Sequence, residues 1–208
     1  MVSDPVNVSS PRLRSEKVKS HLFFSKDEIW AVQLTSTSFS VSTRKYERWE
    51  DFLSHVKVAL EAFIYTYEPV FYERIGLKYV DVFQRSKLGL QNVEWSEMLH
   101  PFAVGYFAHP SLSSSAVKNF NSLTEIDIGN GAIAQINTFL AHVGEIKNGK
   151  PAEETELAIV AVSDLFFIKK ELSEVDVSLE YLHSVAYRLI RAMITDKLHL
   201  AMEPQECL

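Results

Sequence analysis

The chain has 208 residues, 47% of them hydrophobic and 12% aromatic, with a formal net charge of -6. Apolar burial contributes roughly 25 cal/mol per Å², so this composition supports a packed core and excludes disorder over most of the length. The acidic balance disfavours nucleic acid as a partner, and the single cysteine, Cys207, excludes both an intrachain disulfide framework and a cysteine-based zinc site.

No run approaches the roughly 20 apolar residues that cross a bilayer. The opening residues lack the apolar stretch of a secretory signal. The expectation is a cytoplasmic chain with no membrane contact. Residues 1-20, broken by Pro5 and Pro11, predict a flexible lead-in. The length suits one domain over 21-208 better than two small halves.

From there Trp30, Val32 and Leu34 alternate, then Phe39 and Val41 after a Ser/Thr break, which predicts a hairpin. Trp49, Phe52, Leu53, Val56, Leu60, Phe63 and Ile64 recur at helical spacing, with Glu50 and Asp51 at the positive end of the dipole. Pro69 closes that helix. Ile75, Leu77, Tyr79 and Phe83 then alternate against Arg74, Gly76, Lys78 and Val80, a long strand with one apolar face. A short helix over Trp95 to Leu99 stops before His100-Pro101. Leu123, Ile126 and Ile128 lead into Gly129-Asn130-Gly131, and Ile133, Ile136, Phe139 and Leu140 resume, a second hairpin. A mobile, turn-rich connection over 144-155 precedes LAIVAVSDLFFIK, whose continuous apolar run predicts a central strand. A last helix from Ser178 buries Leu182, Val185, Leu189, Met193 and Ile194, with a kink or restart at Thr195-Asp196. The class is α+β: a twisted, mainly antiparallel sheet with a mid-chain helix and a long C-terminal helix packed on it.

Three segments, VQLTSTSFSVSTRKYERWEDF, YERIGLKYVDVF and LHSVAYRLIRAMITDKLHLAM, carry Y-x-x-W-x-x-F, a strand close to R-x-G-[LI]-R-Y-[IV]-N, and a helix ending I-T-D-K. In this order they resemble the landmarks of a sporadically distributed family of uncharacterised bacterial proteins. The resemblance runs from about Glu28 to Met202 and implies that an N-terminal strand-containing stretch of the family is missing here. Lys78 stands where the family motif has arginine and Asp81 where it has asparagine. Lysine lacks the planar fork of arginine, and aspartate replaces a neutral amide by a charge.

Arg74, Gly76 and Lys78 share one strand face, and two cations flanking a glycine can hold an anionic group close to the backbone. The competing reading pairs Arg74 and Lys78 with carboxylates on neighbouring strands. Glu125, Asp127, Glu145 and Lys147 follow the acidic, acidic, lysine layout of metal-dependent nucleases, in which carboxylates hold a hard cation and lysine steadies developing charge. Against this, Lys147 runs into the Asn148-Gly149 turn, which predicts a solvated side chain. The seven histidines show no ligand spacing. Arg44, Lys45, Tyr46, Arg48 and Trp49 form a basic aromatic cluster diluted by Glu47, Glu50 and Asp51, which predicts a solvated helix entry in place of a nucleic-acid groove.

Two functions follow. The preferred one is a non-enzymatic binding or interaction module, which the sporadic spread of the resembled family links to bacterial defence or mobile-element systems. The other is a metal-dependent phosphodiesterase or nuclease using Glu125, Asp127, Glu145 and Lys147. No cofactor is expected. The expected partner is a protein or a second copy: an open sheet edge, left by the missing N-terminal strand, predicts a homodimer.

Overall fold

The computed structural model describes residues 19-109, 111-113, 116-144, 146-147, 150-151 and 155-202. Expectations for residues 1-18, for Glu145 and for half of the 144-155 connection lie outside them, as does the side chain of Lys147. Helices and antiparallel sheets make the protein α+β. Its contacts cluster into two units, Met1-Pro69 and Val70-Leu208.

The first unit is a three-stranded meander, β1 (Ser20–Phe24), β2 (Trp30–Thr35) and β3 (Phe39–Thr43), with one helix, α1 (Trp49–Tyr67). The β2–β3 hairpin and α1 lie where alternation and helical spacing put them. β1 is an addition to the sequence reading. The β2–β3 turn is closed by Thr35, whose Oγ1 accepts from the Ser38 backbone N–H at 2.9 Å, a local side-chain bond of the kind that favours turns. Aromatic rings join α1 to the sheet: Trp30 stacks on His55 with centroids 4.0 Å apart, and Phe39 on Phe63 at 4.7 Å. Only Trp49 is fully buried among the described residues of this unit, and Phe52, Val56 and Leu60 are half-buried. The helix ends where Glu68 turns left-handed, at φ 45°, and its N–H caps the Ile64 carbonyl.

The second unit is built on a four-stranded antiparallel sheet in the order β4-β9-β6-β5, from β4 (Phe71–Phe83), β5 (Asn121–Gly129), β6 (Ala132–Val143) and β9 (Glu156–Glu171). Two-residue strands β7 (Ile146–Lys147) and β8 (Lys150–Pro151) pair with each other. β9 is central, as its continuous apolar run requires. Gly129, Asn130 and Gly131 all have positive φ, which is what turns the β5–β6 hairpin.

Helices α2 (Trp95–Met98) and α3 (Pro101–Val104) follow β4, and α4 (Val175–Met193) and α5 (Asp196–Ala201) follow β9. The Thr195 side chain caps α5, so the expected break there is a restart. Leu99 bridges Ile194, and the Thr195 N–H donates to the Met98 carbonyl at 2.9 Å, which stitches the two helix junctions together. Beneath them lies the core, in which Trp95, Met98, Leu99, Val104 and Leu198 pack on Phe83, Ile159 and Ala161. All these sheet residues share the face of Ile75, Leu77 and Tyr79, the face over which α4 runs.

Candidate functional site

The register of the four-stranded sheet orders its opposite face into level rows. One row is Lys78, Asp164, Gln135 and Glu125, running across all four strands from β4 to β5. On one side of it lies the row Val80, Val162, Asn137, Leu123, then Val82, Val160, Phe139, Asn121; on the other side lies Gly76, Phe166, Ile133, Asp127. Among the described residues of this unit, the helix packing falls on the other face. Aliphatic side chains consequently stand in solvent: Val80 is 59% exposed, Val82 48% and Leu123 69%.

Arg74 occupies the basic corner of this face. Its guanidinium lies 4.2 Å from the Phe166 ring centroid and donates to Asp164 Oδ1 at 2.6 Å. Gly76 makes this reach possible, because a Cβ at that position would stand 2.9 Å from Arg74 Nη1. Arg74 and Asp164 thus form a cross-strand ion pair. Lys78 lies opposite the same aspartate in register but makes no ion pair among the described residues. The Arg74–Asp164 pair is half exposed and solvent-screened, so Arg74→Ala is expected to cost only about 1 kcal/mol from pair and ring contact together. Denaturant melts of the two proteins check this, and an unchanged midpoint would show that the corner adds nothing to stability.

Glu125 and Asp127 stand on this face at the opposite, acidic edge. Glu125 accepts from Gln135 Nε2 at 2.8 Å, and Asp127 accepts from the Gly129 N–H at 2.9 Å, a turn-closing bond. They line a shallow depression with Gly131, Ala132 and Ile133. No group of three or more His, Cys, Asp or Glu side chains able to hold a metal ion occurs among the described residues. At the helix entry, Lys45 pairs with Glu47 and Arg48 with Glu50, Arg44 lies over the Phe24 ring, and Trp49 is buried, so these cations are spent on neighbours.

The helix-covered face also holds polar residues. Tyr79 Oη and His183 Nδ1 share a 2.9 Å hydrogen bond between β4 and α4. Two residues along, Asp81 points to the same face, opposite buried Ala161 and level with buried Thr138. It makes no hydrogen bond or ion pair among the described residues, and burial pushes its carboxyl up to about 6. Strand alternation from Tyr79 was the available signal, since position 81 has the same parity.

The fold and this sheet face define an α+β protein with an exposed, mixed apolar and charged surface. Comparisons with protein-family models, with curated proteins and with solved structures find no match. Among the described residues, no helix is long and apolar enough to cross a membrane.

Proposed function

We propose that the protein is a non-enzymatic interaction module that binds another protein chain through the open face of the β4-β9-β6-β5 sheet. The observation that carries this is the exposure of Val80, Val82 and Leu123 on a regular sheet face, where apolar side chains gain by being covered. The depression beside Glu125 and Asp127 is shallow, whereas a small molecule needs a concavity that buries most of it. The reading places the chain in the cytoplasm, and the family resemblance associates it with bacterial defence or mobile-element systems. Crosslinked affinity capture from the native source tests it. Recovery of the partner should fall about tenfold with Leu123→Glu, the equivalent of 1.4 kcal/mol, with the melting temperature unchanged. Equal recovery with wild type and variant would reject the face as the binding surface.

A second reading rests on β1. Among the described residues it pairs with β2 alone, and Leu22, Phe23 and Phe24 are each about half exposed on that edge strand. Strand addition there is the edge association expected from the sequence. Phe23→Lys should abolish it and leave the Leu123-dependent contact intact.

A further inference from the structure

The rows of the open face are complementary to themselves. Basic side chains, Arg74 and Lys78, lie on edge strand β4, and acidic side chains, Glu125 and Asp127, lie on edge strand β5. A twofold axis parallel to the strands and midway between two such faces keeps every row level while exchanging β4 with β5 and β9 with β6. Lys78 of one copy then meets Glu125 of the other. Arg74, which leans over Gly76, meets Asp127. In the centre Asp164 meets Gln135, an amide that can donate to it. The apolar positions match as well: Val80 meets Leu123, Phe166 meets Ile133, and Val160 meets Phe139.

The alternative axis, perpendicular to the strands, reverses the order of the rows and stacks β4 on β4 and β5 on β5, so that no cation of β4 faces a carboxylate of β5. Complementary potentials across an interface favour the axis that brings opposite charges together, and of the two only the strand-parallel one does so here. From these matches we infer that the partner of the open face is a second copy of this chain, packed sheet on sheet about a twofold axis along the strands. The inference rests on the interaction reading of the same face and supplies its partner. Two sheets packed this way stand about 10 Å apart with strands nearly aligned, the geometry of a β-sandwich. Four strands and four rows span a face on the order of 500 Å² per copy before side-chain relief is counted, the lower end for a specific interface.

Reciprocal contacts provide a test by charge exchange. The full chain is studied by sedimentation equilibrium over a concentration series, as wild type, Lys78→Glu, Glu125→Lys and the double variant. Each single change places like charges opposite each other twice per dimer and is expected to weaken dimerisation at least tenfold, whereas the double change restores the pair and should return to within about threefold of wild type. Circular dichroism confirms that each variant is folded. A wild type that stays monomeric at about 100 µM, roughly 5.5 kcal/mol of association, overturns the proposal. So do single variants that dimerise like wild type, and so does a double variant that is not rescued. A monomeric wild type that still captures another protein through Leu123 overturns self-association and leaves the interaction reading standing; absence of both overturns both.

Discussion

Trp95→Ala is expected to lower the stability of the second unit by about 3 to 5 kcal/mol, the loss typical of a large aromatic side chain removed from a core. Trp95 has no exposed surface and lies in the cluster where α2, α3 and α5 meet Phe83 and Ile159. The Arg85 guanidinium lies 4.6 Å from its ring centroid, so the ring also supports a cation whose Nη1 donates to the Val93 carbonyl at 3.2 Å. Its own Nε1 is buried with no acceptor among the described residues. The ring thus contributes through packing, and Trp95→Phe, which keeps an aromatic face and removes the unpaired donor, is expected to cost less than half as much. Urea melts compare the three proteins, and a loss below about 1 kcal/mol for Trp95→Ala would show that the cluster is not the stabilising core.

The opposite sign is expected at Asp81. Its carboxyl has an ordinary value of 3.8 and is pushed up to about 6 by burial, so the folded state holds its proton more tightly than the unfolded state. Below pH 3.8 both states are protonated and the residue costs nothing through ionisation. As pH rises from 3.8 to 6 the unfolded state ionises first, stability falls, and above 6 the full cost is present. Two pKa units correspond to about 3 kcal/mol, an upper figure for a partly buried group. Asp81→Asn is accordingly expected to stabilise the protein by up to about 3 kcal/mol at pH 7 and by little near pH 4. A neutral amide at this position avoids the desolvation of the charge. Thermal unfolding of both proteins from pH 4 to pH 8 decides the matter. A constant difference across that range would mean that Asp81 does not titrate in the window.

How much of this was legible in the sequence depends on the range of the interaction. Alternation along Ile75, Leu77 and Tyr79, the helical spacing from Trp49, and the glycines around Asn130 are local signals, and the elements they predict are present. Strand β1 escaped notice because Leu22, Phe23 and Phe24 have no period and are exposed on both sides. Helix α3 had a local signal, Pro101 at its first position, which the sequence reading took only as the stop of the helix before it. The partner of Arg74 is 90 residues away and was beyond any spacing argument. Only the register brings Lys78, Asp164, Gln135 and Glu125 into one row, and a register between distant strands is set by the packed face. Those four residues carry the surface argument, although two of them, Asp164 and Gln135, looked like ordinary polar positions in isolation.

The order in which the second unit's strands are made sets a delay into its birth. Among the described residues β4 pairs with β9 alone, Phe83 meeting Ile159 and Phe71 meeting Glu171, whereas β5 and β6 pair across a tight turn. A ribosome adding roughly 5 to 20 residues per second produces β4 and then needs about 4 to 20 s before the partner strand exists. For those seconds a 13-residue strand with Ile75, Leu77, Tyr79 and Phe83 on one side waits without a neighbour. Arg74 and Lys78 on its other side keep the nascent segment solvated and repel a second nascent strand, so the cations of the mature surface also guard the unfinished chain.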